Sequence, residues 1–388
     1  MTSPATFDGY ARPDGSVGVR NCVLILSVTG LTGPSARRIG RVVGGTKVIA
    51  TPYGSGLMGA DADLQTRSLI GFGRHPNVAA TLVIGGTPPQ VEQIAAAIAE
   101  SGKPVEHLIL DDCDHDAVTL TERGIRIAAR LVRDASLQRR SPFGMERLFL
   151  ALECGRSDPS SGLVANPLVG RVVDRVVAAG GRAVFGETIE WLGAEHLLAA
   201  RAATPDVATA IRAAVERREK LAIDAGMDLL GNNPGPTNIA GGLSTIEEKS
   251  LGGIAKGGTS AIRGVVEIAE TPAGAGLYLM DAPAYAPESV TGFVAAGAQL
   301  VLFTTGAGNS FVSGLAPTLK VSANPVAAAR LREQLDFDAA DVFGSRASLD
   351  DAASRLQAHM LAIASGALTW GEILDEGEDV VSRLGPAL

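Results

Sequence analysis

The chain has 388 residues, 46% of them hydrophobic and 20% charged, which is the mix of a globular protein long enough for two domains of roughly 150 residues or more. The formal net charge of −8 argues against nucleic acid or an anionic membrane as the main partner. Cys22, Cys113 and Cys154 are too few and too far apart for a disulfide framework, no apolar run approaches the ~18 residues of a membrane span, and the start of the chain carries no signal-peptide pattern, so a cytoplasmic protein is expected.

Strand-like and helix-like segments alternate along the chain. Residues 19–28, 46–50 and 81–86 read as buried strands. Thr87-Pro88-Pro89 starts a helix that runs to residue 100, and 107–112 is the next strand, which completes a β-α-β unit and implies a parallel sheet with helices on its faces. A helical pattern over 116–138 ends in Arg139-Arg140-Ser141-Pro142, where a boundary is expected between an N-terminal domain (1–140) and a C-terminal domain (141–388). The second half restarts with strands at 145–153 and 182–187 around a helix at 166–179, then one long helix from 193 to 224. Strands follow at 262–268, 276–281 and 299–304, a helix intervenes at 290–299, and helices at 325–334 and 348–365 close the chain. The fold class is α/β, two Rossmann-like domains each with a largely parallel sheet flanked by helices, and the active-site cleft is expected at the strand C-terminal ends.

Several strands end in polar or glycine-rich loops: Cys154 to Asp158, Glu187-Thr188, Asp281, and Thr304 to Asn309. The stretch 231–258 is rich in glycine yet holds Thr245-Ile246-Glu247-Glu248-Lys249 in its middle. Glycine lets a backbone approach a ligand closely, so these charged groups are expected beside a bound molecule. Residues 54–59 spell a literal Gly-x-Gly-x-x-Gly, but the next strand ends without the acidic residue that a ribose needs, so no nicotinamide cofactor is expected there.

Five segments in order resemble the altronate/galactarate dehydratase family: 12–21 (RPDGSVGVRN), 154–170 (CGRSDPSSGLVANPLVG), 186–202 (GETIEWLGAEHLLAARA), 241–258 (GGLSTIEEKSLGGIAKGG) and 280–310. The stretch 69–85 is similar to the sulfolactate sulfo-lyase large-subunit branch. The chain departs from the sugar-acid dehydratases in holding Ser27 to Gly30, Tyr53 to Gly56, and Gly253 where those carry Cys or His, so thiol ligands at these positions are missing. The dehydratases often begin with a small extra domain, which implies a separate small subunit as partner here, in an oligomer, with no nucleic acid and no membrane.

The resemblance implies a lyase that eliminates a β-leaving group, sulfite or water, from a small anionic 2-hydroxycarboxylate to give a 2-keto acid. A sugar-acid dehydratase is the nearest alternative; a nicotinamide dehydrogenase and a non-catalytic binding subunit are the others. Elimination needs a base, an acid, and positive charge beside the substrate carboxylate. His196, in the Glu-His pair of its motif, suits proton transfer. Lys249 serves as base or as an electrophilic clamp, with Glu247 as the further catalytic residue. Glu247, Glu248, Asp281 and Glu187 suit a divalent metal (Fe2+, Mn2+ or Mg2+), and Cys154 reads either as a soft ligand or as a small core residue. Arg20, Asn21, Ser157, Asp158, Thr245, Thr304, Thr305, Gly306 and Asn309 are the expected substrate contacts.

Overall fold

The computed structural model describes residues 5–229 and 231–383. Its strands are β1 (Thr6–Ala11), β2 (Val17–Gly18), β3 (Cys22–Ser27), β4 (Thr46–Ala50), β5 (Val78–Gly85), β6 (Val105–Ile109), β7 (Ser141–Gly144), β8 (Phe149–Gly155), β9 (Arg182–Phe185), β10 (Ile262–Glu267), β11 (Gly276–Asp281), β12 (Leu300–Thr305), β13 (Thr318–Ser322) and β14 (Phe337–Asp338). Two sheets are wholly parallel, one ordered β4-β3-β5-β6 and the other β10-β11-β9-β8-β12-β13-β14. Their inner strands are continuous apolar runs, such as VAATLVIG in β5, because helices cover both faces. The α/β class with parallel sheets and flanking helices is as read from the sequence. No helix among the described residues is long and apolar enough to cross a membrane.

Three features differ from the sequence reading. The strand expected from residue 145 begins at Phe149, because Met145–Arg147 forms a 3-10 turn. The long helix expected over 193–224 is two helices, Glu195–Ala200 and Pro205–Asp224. Between them Ala202 bridges to Ile262 of β10, and Thr204 caps the second helix ahead of Pro205. A small antiparallel sheet, β2-β1-β7, and strand β13 carried no clear signal.

The two parallel sheets share one apolar layer. Leu24 and Val83 of the first pack in the same buried cluster as Phe149 and Phe303 of the second, with Phe72 of the helix Ala60–Arg74 and Phe293 of the helix Ala286–Ala295 between them in that cluster. In the larger sheet β9 lies on one side of β8 and β12 on the other, so the strand order reverses between β8 and β12. A crevice forms beyond the carboxyl ends at such a reversal, and here Cys154 pairs with Thr304 and Gly155 with Thr305.

Candidate functional site

A cleft of about 1290 Å³ opens at that point. Residues following β8 (Cys154 to Ser157), β9 (Ile189, Glu190), β11 (Ala282 to Glu288) and β12 (Asn309 to Phe311) line it. Its floor holds Cys154, Glu190 and Lys249.

Glu187 and Glu190 come from the short turn after β9. Glu187 adopts a left-handed backbone, φ 66°, which costs an ordinary residue about 1–2 kcal/mol. Hydrogen bonds on both sides hold it: Thr188 N donates to Ala282 O at 3.0 Å and Glu190 N to Glu187 O at 2.7 Å. Strain of this kind clusters where a side chain must point in one direction for function. Glu187 and Glu190, three residues apart in a 3-10 turn, thereby reach the same point.

Two lysines meet them. Thr245 caps the helix Ile246–Ile254, and Lys249 and Lys256 stand seven residues apart on its inner side and the turn that follows it. Lys249 Nζ donates to Glu190 Oε1 and to Asn233 Oδ1. Lys256 Nζ donates to Glu187 Oε2 at 2.5 Å and to Cys154 Sγ at 3.1 Å. The helix comes this close because Gly252 lies over Gly162, where an added methyl would stand 3.0 Å from a backbone Cα.

Both pairs are buried. Burial lowers each lysine; the Glu190 carboxylate outweighs it for Lys249, and the Cys154 sulfur with Glu187 and Glu190 outweighs it for Lys256, so both are raised and held as ammonium. Burial pushes the Glu187 carboxyl up, with Lys256 pulling the other way, and pushes the Cys154 thiol well up. Below them Glu153 is sealed in the core, takes a hydrogen bond from Ser289 Oγ at 2.8 Å, and leaves Oε1 with no hydrogen-bond partner; burial and the neighbouring Glu187 drive its carboxyl far above the usual range.

Cys154, Glu187 and Glu190 each bring one ligand atom within 4.8 Å of the others. One sulfur and two carboxylates, with the cleft on the open side, are a donor set that could hold a divalent cation. Oε2 of Glu190 faces Cys154 Sγ at 3.7 Å while Oε1 faces Lys249; Lys256 Nζ already donates to both Cys154 Sγ and Glu187 Oε2, so a cation on these donors would displace that ammonium.

The structure brings Cys154, Glu187 and Lys249 together, sets Ser157 and Asn309 on the cleft wall, and places the other expected residues elsewhere. Glu247 and Glu248 are exposed on the outer face of their helix, where Glu248 accepts from Ser244 N at 2.8 Å as a capping group. Asp281 is held by Arg218 Nε at 2.9 Å, Arg217 and Thr188; these overcome burial and keep its carboxyl below the usual range. His196 is exposed and does not line the cleft. Arg20 is paired with Glu372 at 2.6 Å, and Asn21 bonds Arg12 and Ala135 O, both away from the cleft.

Ser157 and Asn309 line the cleft. Asp158 is buried behind it, accepting from Ser160, Ser161 and Asn324, and Gly306 lacks a side chain because one would collide with Asp158 at 2.3 Å. Thr304 donates to Asn166 Oδ1 at 2.5 Å, at the start of the helix Asn166–Ala178, and Thr305 accepts from Gly308 N at 3.0 Å in the loop after β12. Thr245 accepts from Glu248 N. The loop 54–59 leads into the helix Ala60–Arg74, whose first turn carries Asp61 and Asp63, a poor setting for a pyrophosphate.

Sequence reasoning missed Glu190, Lys256 and Asn233. The signal present was spacing: two acids three apart, in GETIEW, and two lysines seven apart, in EEKSLGGIAK.

Family models match most of the chain. D-galactarate/altronate dehydratase, C-terminal, matches residues 145–387, and D-galactarate dehydratase/altronate hydrolase, second domain, matches residues 9–136. The chain is 39% identical to the (2R)-sulfolactate sulfo-lyase subunit beta of Chromohalobacter salexigens, over 98% of this chain and 97% of that protein. It is 32% identical to the altronate dehydratase of Bacillus subtilis, over 99% of this chain and 78% of the relative. For the altronate dehydratase of Escherichia coli the identity is 32%, over 87% and 70%. These agree with the resemblance read from the motifs.

Proposed function

We infer that this chain, which belongs to the D-galactarate/altronate dehydratase family, is a lyase subunit that removes a β-leaving group from a small 2-hydroxycarboxylate and yields a 2-keto acid. The observation that carries the reading is the double ion pair, Lys249–Glu190 and Lys256–Glu187, gathered around Cys154 at the strand reversal and open to the cleft through Glu190 and Lys249.

Glu190 is the carboxylate on the cleft floor, and it takes the proton from C2 of the substrate. The C2–H electrons form the C2–C3 double bond, and the bond from C3 to its substituent breaks with the electron pair leaving on sulfite or, with a proton, on water. The enol then gains a proton at C3 and loses one from its hydroxyl, which gives the keto acid. Lys249, held as an ammonium, faces the charge that develops on the substrate carboxylate, the kind of fixed countercharge that is worth several kcal/mol in a cleft shielded from water. Lys256 and Glu187 hold Cys154 and the floor in place behind it. A divalent cation on Cys154, Glu187 and Glu190 would add Lewis-acid polarisation of the same carboxylate.

Sulfolactate is the leading substrate, because the 39% identity to the sulfo-lyase subunit runs along nearly both whole chains. Arg156 lines the cleft and suits its second negative charge. A sugar acid is the second reading, favoured by the amides of Asn232, Asn233, Asn238 and Asn309 along the same wall. The relative's name, subunit beta, supports a second subunit as partner here too. The test is metal content after anaerobic purification, then keto acid formation from (2R)-sulfolactate, altronate and galactarate. Keto acid from one of the three supports the reading and names the substrate; none from any, with the partner present, removes it.

A further inference from the structure

We propose that the mouth of the cleft is the docking surface for a separate small polypeptide, one that presents apolar side chains framed by basic ones. The proposal deepens the lyase reading above and rests on it for the existence of a second subunit.

Leu221, Met227 and Tyr285 are 60%, 52% and 63% exposed, and all three line the cleft. Single exposed apolar residues need no explanation, but large ones gathered around one opening mark a contact surface. They stand on separate segments, the helix Pro205–Asp224 with the turn after it, and the loop after β11, so a body seated on them spans the opening. Glu288, Glu376 and Glu378 line the same opening, which selects a basic edge on the occupant.

The lengths of the relatives point to the occupant. The sulfo-lyase subunit beta is matched over 97% of its length, whereas the two altronate dehydratases are matched over only 78% and 70%, so a further piece of each lies outside the match. The matched family models are the second and the C-terminal domains, so the family architecture has a domain ahead of them. Where that domain is a separate chain, it needs a surface to hold it, and the cleft mouth is where its presence would matter. None of the five histidines lines the cleft, and a seated partner would both exclude water from Glu190 and Lys249 and bring its own polar groups to the substrate.

The test begins in the cells that make this protein. A photo-reactive residue is placed at Met227, at Tyr285, or at the exposed Leu137, which lies outside the cleft. The expected result is one small polypeptide captured from Met227 and Tyr285 and not from Leu137. That polypeptide is then purified and titrated against the wild-type chain and the Leu221→Asp and Met227→Asp variants, with at least tenfold weaker binding expected for each. Capture of a second copy of this chain, capture at Leu137 instead, no capture, or unchanged affinity of both variants would each overturn the proposal. Keto acid production with full partner affinity in the rim variants removes the docking site and leaves the lyase. A polypeptide that binds the rim without any keto acid from the substrate panel removes the lyase and leaves the docking site.

Discussion

Lys256 Nζ lies 3.1 Å from Cys154 Sγ, with Cys154 in the cleft floor and Lys256 sealed beneath it. The ammonium also holds Glu187, so it compensates a carboxylate that has no water to turn to. Removing one partner of a buried pair costs about 3–5 kcal/mol, while replacing both with apolar or neutral groups is far milder. Lys256→Met is therefore expected to lower unfolding stability by about that amount, and Lys256→Met/Glu187→Gln to recover most of it. Urea unfolding of the two variants checks this, and equal losses in both would contradict it.

Glu190 and Lys249 form a buried pair that also lines the cleft, so their loss is expected to cost stability and, beyond that cost, turnover. Glu190→Gln should lower keto acid formation by about 10²–10⁴-fold, the range for a removed acid–base group. Asn233 shares the Lys249 ammonium, and Asn233→Ala should lower turnover less than Lys249→Met does. Steady-state kinetics beside far-UV circular dichroism separates the two effects.

Gly252 packs against the backbone of Gly162. Gly252→Val pushes the helix Ile246–Ile254 outward and takes Lys249 and Lys256 with it. Overpacking costs about 1–3 kcal/mol, and activity should fall further than that loss accounts for. Activity measured well below the variant's melting temperature checks this; near wild-type turnover would show that the helix tolerates the shift.

Lys320 is buried, donates to Phe311 O, and stands over the Phe303 ring at 3.4 Å. Burial draws it from 10.5 to about 7, with Glu153 pulling the other way. The folded state thus binds fewer protons than the unfolded one between those two values, so this group costs stability most below about pH 7 and progressively less up to pH 10.5. Lys320→Met should raise the melting temperature relative to wild type more at pH 6 than at pH 9. A difference that stays constant across that range, or grows with pH, would contradict the assignment.

Cys154 is the donor that separates a metal role from a packing role. Cys154→Ala is expected to lower the metal content of anaerobically purified protein and to cost little stability, since the residue is small. Elemental analysis checks the first expectation and thermal unfolding the second.

The parallel sheets were legible because their strands are unbroken apolar runs punctuated by helix caps and prolines. The antiparallel sheet was not, since β1 mixes exposed and buried residues over six positions and β2 has only two. Strand β13 hides behind Lys320, a charged residue in its centre. In the cleft, Cys154, Glu187 and Lys249 stood at strand ends or in a conspicuous motif. Glu247 and Glu248 stand out by adjacency to Lys249, but neighbours on a helix point in different directions, and the acid that meets Lys249 comes from another segment. Such a pairing, 59 residues apart in Lys249 and Glu190, is not readable from one sequence without the fold.

The most direct test is 2-keto acid formation from (2R)-sulfolactate by the wild-type chain and Glu190→Gln, side by side with the partner present and equal folded protein. The account predicts product from the wild type and at least a hundredfold less from the variant. Equal rates in the two would show that the Glu190–Lys249 pair is structural and that the chemistry lies elsewhere.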